Sequence, residues 1–114
     1  MNRRKTGQEY ENVAAEYLRA QNYQILEKNY RICSGEIDLI ARDGAYLVFV
    51  EVKYRKNASS GDPLEAVDRR KQKKIIQVAR YYLYEKRYID IPCRFDVIGI
   101  CGDSICHIKN AFYT

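Results

Sequence analysis

The chain has 114 residues, of which 46% are hydrophobic and 31% charged, and its formal net charge is +5. This length allows one hydrophobic core but not two, so we expect a single domain over residues 1–114. No apolar stretch approaches the roughly 20 residues of a membrane-spanning helix, and the basic N-terminus is unlike a secretory signal, so we expect a cytoplasmic protein without a membrane segment.

An amphipathic helix is predicted first, over about residues 7–21, because its apolar residues recur on one stripe. Glu11 lies on the margin of this stripe, so its carboxylate could face either the sheet or the solvent. Residues 23–26 and 29–33 are then predicted to form a short extended segment and the start of the next strand. The N-terminal third of the chain therefore predicts one helix followed by extended structure.

Two apolar strands are predicted next, over about residues 36–42 and 46–54. Both are rich in β-branched and aromatic residues, which is typical of strands buried in a sheet. They nevertheless carry Asp38, Glu51 and Lys53, and a buried charge costs several kcal/mol unless it is paired or bound to metal. The charges therefore indicate either a metal site or an acidic patch that Lys53 and nearby arginines neutralise.

The hairpin between these strands predicts which side chains meet. Asp-Gly at residues 43–44 suits a two-residue type I′ turn. That turn places Asp38 opposite Phe49 and Glu36 opposite Glu51, whereas a longer turn would shift these pairs. The charged side chains that strand alternation places on one shared face are Glu36, Asp38, Glu51 and Lys53.

A polar loop and a second helix follow the acidic strands. The loop, residues 56–63, is placed to border a substrate groove. The helix is predicted from about Leu64 or Asp68 to Arg87. Lys71 falls on the stripe of this helix that should be buried, which suggests that the N-terminal end of the helix overhangs a wet cleft.

Positive charge is concentrated in this part of the chain. Between Lys53 and Arg87 there are 11 Lys or Arg and 4 Asp or Glu, a local balance of +7. Such a surface suits a polyanion, with nucleic acid as the leading candidate, although a solvated, lysine-rich helix face would give the same pattern. The candidate nucleic-acid-binding residues are Arg55, Lys56, Arg69, Arg70, Lys71, Lys73 and Lys74.

Two closing strands are predicted over residues 94–100 and 104–108. The four cysteines lack the spacing of a zinc site. Cys101 and Cys106 could face each other across the last hairpin, but without a sign of export we expect reduced thiols. The element order is α-β-β-β-α-β-β, which predicts an α/β fold with a single mixed sheet of about five strands flanked by helices.

Asp38 and the run Glu51-Val52-Lys53 match the pattern D-x(n)-E-x-K, which resembles the motif of the PD-(D/E)xK nucleases. The chemistry of phosphodiester hydrolysis suits these residue types. Carboxylate oxygens hold Mg²⁺ or Mn²⁺, the ion activates a bound water, and a nearby lysine can orient that water or stabilise the developing charge.

The chain as a whole resembles the YraN-like family of small bacterial proteins. The matching stretches are Gly7, Glu11, Ala14 and Tyr17-Leu18, then residues 35–40, 48–53 and Arg55, then Gly61, Pro63, Glu65-Ala66-Val67, Lys71, Ala79 and Tyr82-Leu83. Tyr10 stands where the family pattern has a second glycine. The resemblance implies a restriction-endonuclease-like fold similar to archaeal Holliday-junction resolvases, and by analogy a homodimer.

The resemblance also implies roles for individual residues. Asp38 and Glu51 would be metal ligands, Lys53 the catalytic lysine, and Glu11 a supporting acid, while our strand geometry makes Glu36 a further candidate ligand. The leading hypothesis is a Mg²⁺- or Mn²⁺-dependent endonuclease acting on DNA, with branched or structured DNA as a candidate substrate. The alternatives are a non-catalytic nucleic-acid-binding module that acts with a partner, and an interaction protein whose acids form structural ion pairs.

Overall fold

The computed structural model describes residues 6–56 and 62–113. Its elements follow the predicted order α-β-β-β-α-β-β, with one additional 3₁₀ turn before the second helix. They are α1 (Gly7–Ala20), β1 (Gln24–Ile32), β2 (Gly35–Asp43), β3 (Tyr46–Arg55), the 3₁₀ turn (Pro63–Ala66), α2 (Arg69–Lys86), β4 (Cys93–Cys101) and β5 (Ser104–Phe112). Most of the predicted 56–63 loop lies outside the described residues.

The five strands form one mixed sheet in the order β1-β2-β3-β4-β5. Neighbouring strands are antiparallel except for β3 and β4, which run parallel. A parallel pair needs a long crossover connection, and α2 with the segment before it makes that connection. The predicted mixed sheet is confirmed.

The two helices cover opposite faces of this sheet. Leu47 and Phe49 of β3 pack in a core beneath α2, whereas Val48 and Val50 pack in a second core beneath α1. This alternation explains why β3 is apolar at every position in its first half, because both of its faces are buried. The result is a three-layer α/β/α domain with β3 at the centre.

Side-chain caps fix where both helices begin. The Thr6 hydroxyl accepts a hydrogen bond from the backbone N–H of Glu9 at the start of α1, and the Asp68 carboxylate accepts one from that of Lys71 at the start of α2. Such caps satisfy backbone donors that have no partner within the helix. The cap at Asp68 places Lys71 in the first turn of α2, beside the sheet.

The register of the β2–β3 hairpin differs from the prediction by two residues. Asp43 pairs with Tyr46 and Leu39 with Val50, so the turn is formed by Gly44 and Ala45. Gly44 has a φ of 59°, the positive value that glycine supplies at the first central position of a type II′ turn. Phe49 therefore pairs with Ile40 and not with Asp38, and in this register Glu36 does not lie opposite Glu51, so both predicted pairs are wrong.

The extended region before β2 is also more regular than predicted. Residues 24–32 form one strand paired with β2, with a register shift between Ile25 and Glu27. Asn29 within it has a φ of 53°, a value that asparagine tolerates better than most residues. The polar residues between the two predicted segments therefore mark irregularities inside a single strand, and not a break between two.

Candidate active site

Asp38 lies where β2 and β3 stop pairing as a regular ladder. The last regular pair is Leu39 with Val50. One residue beyond it, Asp38 Oδ2 accepts a hydrogen bond of 2.8 Å from the backbone N–H of Val52. The residue is only 8% exposed, so a buried carboxylate, and not a backbone carbonyl, satisfies this N–H group.

Side-chain alternation along β2 breaks next to Asp38. Ile37 and Ile40 both pack in the core beneath α2, although residues three apart leave opposite faces of a regular strand. Asp38 lies within this irregularity. Its carboxylate consequently interacts with acids from two sides of the sheet, Glu11 of α1 and Glu51 of β3.

Glu51 is the most perturbed acid of this group. It is 6% exposed, and its buried Oε2 has no hydrogen-bond partner. Burial, reinforced by the hydrogen bond and the charge of Asp38, raises the pKa of Glu51 to about 8, against the opposing effect of Lys71 and Lys53. The Nζ atom of Lys71 lies 3.6 Å from Oε2, close enough for ionic attraction but too far for a good hydrogen bond.

Glu11 extends the acidic group toward α1. Its Oε1 atom is buried without a hydrogen-bond partner. Burial and then the charge of Asp38 raise the pKa of Glu11, while a hydrogen bond from Asn29 lowers it. Glu11, Asp38 and Glu51 therefore form a row of interacting acids that crosses the sheet, which we call the acidic row.

The acidic row does not form a ready metal cage. Among residues 6–56 and 62–113, no three His, Cys, Asp or Glu side chains are gathered closely enough to make a set of metal ligands. Its interactions are pairwise: Glu11 with Asp38, and Asp38 with Glu51. Any ion held here would need water or substrate oxygens for its remaining ligands.

Glu36 is engaged differently from the prediction. It forms an ion pair with Arg31, its neighbour across β1 and β2, in which Arg31 Nη2 lies 2.8 Å from Glu36 Oε2. The charge of Glu36 also raises the pKa of Glu11, so it lies near the α1 end of the acidic row. An arginine, and not Glu51, is its immediate partner.

Two lysines approach Glu51 from different elements. Lys53 follows two residues later on β3 and is half-buried, and Lys71 reaches across from the first turn of α2. The sequence analysis grouped Lys71 with the candidate nucleic-acid-binding residues, and its ammonium contacts an acid of the site. The signal for this was its position on the buried stripe of α2, one turn before the buried Ile75.

The 3₁₀ turn is fixed beside Lys53 by an unusually close backbone contact. A Cβ atom built on Gly99 would lie 2.2 Å from Cγ of Pro63, so only glycine allows this approach. Gly99 pairs with Lys53 across the parallel strands. Pro63 packs against Gly99, and the buried Val67 anchors the end of this turn in the core beneath α2, so the segment entering α2 is held against β4 at the position that pairs with Lys53.

The remaining predicted basic residues form a solvent-facing surface along the start of α2 and the end of β3. Arg55 is half-buried, and its Nε atom is buried without a hydrogen-bond partner. The exposed cations are Lys56, Arg69, Arg70, Lys73 and Lys74. Because Lys71 lies among them and also contacts Glu51, this basic surface is continuous with the acidic row.

A buried polar network on β4 and β5 was missed from the sequence. Asp96 is 1% exposed, and its carboxylate accepts hydrogen bonds from Arg94, from His107 at 2.7 Å and from the backbone of Asn110. Burial raises the pKa of Asp96, but the bonds from His107 and Arg94 outweigh it, so the pKa lies below its usual value. Arg94 also binds Asp43 at the hairpin turn, and this network ties β4 and β5 to β2.

The fold and this group of charges define a small α/β domain with a buried acidic row beside a basic surface. Residues 10–100 match the uncharacterised protein family UPF0102, and the chain belongs to this family, the YraN-like group that its motifs resemble. No helix among the described residues is long and apolar enough to cross a membrane.

Close relatives match over nearly their full length. A UPF0102 protein of Lachnoclostridium phytofermentans is 50% identical over 113 residues, which cover 98% of this chain and 96% of the relative. One from Fusobacterium nucleatum is 47% identical, over 96% of this chain and 92% of the relative. A third, from Persephonella marina, is 45% identical, over 93% and 91%. Their names describe a family and no activity.

Proposed function

We propose that this protein is a metal-dependent endonuclease that hydrolyses phosphodiester bonds in DNA. The observation that carries the proposal is the contact between two buried carboxyl groups, Asp38 and Glu51. Burial, reinforced by Asp38, raises the pKa of Glu51 to about 8. Two neighbouring buried acids destabilise a fold unless a cation offsets them. A site that binds a divalent cation and a phosphate group gives a physical reason for such an arrangement.

Mg²⁺ or Mn²⁺ fits the donors that are present. Mg²⁺ usually takes one or two protein carboxylates and completes its coordination with water and substrate phosphate oxygens, so Asp38 and Glu51 suffice as protein ligands. Glu51 Oε2 and Glu11 Oε1 are buried acceptors without a hydrogen-bond partner, and Glu11 would support the ion from the α1 side. When bound, such an ion lowers the pKa of a water molecule and stabilises charge on the phosphate.

The protein's own side chains supply the other requirements. Lys53 presents its ammonium two residues beyond Glu51, where Nζ can donate hydrogen bonds to the attacking water or to a phosphate oxygen. Lys71 holds Glu51 by ionic attraction at 3.6 Å. The basic surface at the start of α2 would hold the nucleic-acid backbone through charge, without reading its sequence.

A second candidate is a nucleic-acid-binding module that does not cleave. The Lys71–Glu51 ion pair favours it, because a lysine ammonium already offsets part of the negative charge that a metal would neutralise. In this case the basic surface alone would carry the function, and binding would fall steeply with salt but would not depend on a divalent ion.

Cleavage of defined DNA substrates separates the two candidates. Junction, flap, single-stranded and duplex DNA would be incubated with the wild type and with Asp38→Asn, Glu51→Gln and Lys53→Met proteins, in Mg²⁺, Mn²⁺ or EDTA. We expect metal-dependent cleavage by the wild type and losses of at least about 100-fold in each variant, the scale of removing a group that stabilises the transition state. Glu65→Gln, in the exposed part of the 3₁₀ turn, is the matched control.

A thermal-shift titration with Mn²⁺ tests the site without relying on activity. An ion that binds the folded state alone stabilises it by an amount that grows with the logarithm of its concentration above the Kd, so Mn²⁺ should raise the melting temperature of the wild type and the Glu65→Gln protein but not that of the Glu51→Gln protein. Cleavage that survives in the Asp38→Asn and Glu51→Gln proteins would point to a contaminating nuclease. Salt-sensitive binding without product or metal response would establish the binding module.

A further inference from the structure

Among the described residues, Lys71 is the cation that forms an ion pair with Glu51. Its Nζ atom lies 3.6 Å from Oε2 of Glu51, the buried oxygen that has no hydrogen-bond partner. The two side chains differ in burial, because that of Glu51 is 6% exposed and that of Lys71 is 40% exposed. The pair therefore joins a buried anion to a cation that reaches the solvent, and a metal ion that coordinates Oε2 would compete with the ammonium for the same oxygen.

The ammonium of Lys71 is held weakly, although its backbone is held firmly. A separation of 3.6 Å is too long for a good hydrogen bond, and lysine carries its charge on a flexible four-carbon stem. The backbone N–H of Lys71 donates to the Asp68 carboxylate, and the Gln72 side chain donates to the carbonyl of Val67 at 2.9 Å. The ammonium can therefore leave Glu51 without any movement of the helix.

The exposed side of the same helical turn offers the ammonium a second position. Residues three and four apart are neighbours on a helix, so Lys71 has the exposed Lys74 on one side and the buried Ile75 on the other. The first turn of α2 begins with Arg69, Arg70 and Lys71 and contains no acid, although cations at this end oppose the helix dipole. A phosphate bound beside this turn would remove that conflict, because it interacts favourably with both the cations and the dipole.

We propose that Lys71 is an exchangeable counter-ion that couples metal binding to nucleic-acid binding. Lys71 pairs with Glu51 in the metal-free protein, and it transfers its ammonium to a substrate phosphate when a divalent ion neutralises Glu51. The inference rests on the proposed nuclease site and adds its regulation, since the metal-free protein withholds one phosphate contact. Coupling between two ligands is reciprocal, so nucleic acid that draws Lys71 away from Glu51 also strengthens binding of the ion.

DNA binding with and without Mg²⁺ tests this exchange. Anisotropy of a fluorescent DNA duplex would be measured in EDTA and in Mg²⁺ at pH 9, above the pKa of about 8 that burial gives Glu51. All proteins would carry Lys53→Met, which keeps both proposed carboxylate ligands and should leave the DNA intact. Adding Lys71→Met should change the affinity in EDTA by less than about twofold but weaken binding in Mg²⁺ by roughly 5- to 10-fold, the scale between an exposed ion pair and a charge-assisted hydrogen bond.

Lys74→Met is the matched control, because it removes an exposed lysine three residues further along α2. It should weaken binding by the same factor in EDTA and in Mg²⁺, as expected for a phosphate contact that does not depend on the ion. Equal losses for Lys71→Met in the two conditions would overturn the exchange without affecting the proposed metal site. A loss in Mg²⁺ alone, in a protein whose wild type does not cleave, would support the exchange and refute the nuclease.

Acylation of Lys71 in the wild type gives a readout that does not depend on any variant's stability. A lysine amine that leaves its carboxylate partner becomes more accessible to an acylating reagent. Mg²⁺ should therefore raise the acylation rate of Lys71 and leave that of Lys74 unchanged, as measured by mass spectrometry of the peptides. An unchanged rate at Lys71, in a protein whose melting temperature Mg²⁺ raises, would overturn the exchange alone. No effect of Mg²⁺ on the melting temperature would overturn the metal site and the exchange with it.

Discussion

Replacing Glu51 with glutamine removes a buried charge while almost preserving the side chain's size and shape. Burial and the neighbouring Asp38 raise the pKa of Glu51 from 4.5 to about 8, so the folded protein binds this proton more tightly than the unfolded chain does. The free energy of unfolding of the wild type should therefore decrease as pH rises from about 4.5 to 8. Glu51→Gln lacks this titration and should gain stability relative to the wild type over the same range.

The size of the gain follows from the same numbers. Each tenfold change in proton affinity corresponds to about 1.4 kcal/mol, so a rise from 4.5 to about 8 sets an upper limit on the order of 5 kcal/mol above pH 8. Local relaxation and water entry reduce the penalty of a buried ion, and Glu51→Gln also removes the attraction between Glu51 and Lys71. We expect a net gain of about 2 kcal/mol at pH 9 and little difference at pH 4.5.

Urea denaturation in EDTA at pH 4.5, 7 and 9 measures this difference. Glu65→Gln, an exposed glutamate in the 3₁₀ turn, controls for the loss of one negative charge from the whole protein. If Glu51→Gln is less stable than the wild type at pH 9, the Lys71 ion pair outweighs the strain between Glu51 and Asp38. The acidic row would then be a structural ion-pair network, and the main argument for a metal site would be lost.

Two further predictions concern residues that position the site. Gly99→Ala should destabilise the protein by about 1–3 kcal/mol, as overpacking does, because the new Cβ would lie 2.2 Å from Pro63 Cγ. Thermal denaturation measures this loss. Gly7→Ala is the control, because the space around its Cβ is open, and it should be neutral or stabilising. Asp96→Asn should cost about 3–5 kcal/mol, because it leaves the Arg94 charge with only part of its partner set. Because folding lowers the pKa of Asp96, the stabilisation that its carboxylate gives the folded state is present above about pH 4 and should disappear as pH falls further. An Asp96→Asn protein that loses stability in acid as the wild type does would contradict this.

The sequence was sufficient for the fold because local patterns and global packing agree there. The apolar stripes of α1 and α2 and the continuous apolar run of β3 each predict the burial that the structure has. The same run also marked the site, since Glu51 is out of place in a strand buried on both faces. Charges that contradict the pattern around them are informative because burial makes them unfavourable without a specific partner.

Pairing partners were less predictable, because they depend on small local choices. Asp43 and Gly44 suggested a type I′ turn, but Arg94 binds the Asp43 carboxylate from β4 and Asp43 remains in β2. The two-residue turn therefore moves by one position along the chain, from residues 43–44 to 44–45. Each residue of β2 consequently pairs two positions further along β3 than predicted. Arg31 then engages Glu36 from β1. Neither arginine belongs to the β2–β3 hairpin, because Arg31 lies on β1 and Arg94 on β4, so the correct register required the assembled sheet.

The break in β2 gives the acidic row its particular form. In an unbroken hairpin, side chains on one face of the sheet would be the closest neighbours, and an acid from α1 would be separated from Glu51 by the sheet itself. Because regular pairing ends at Leu39 and Val52 turns its N–H toward the Asp38 carboxylate, Asp38 interacts with Glu11 on one side and Glu51 on the other. A ligand bound there could be contacted from both helical layers, which is why α1, α2 and the central strand all contribute residues to the proposed site.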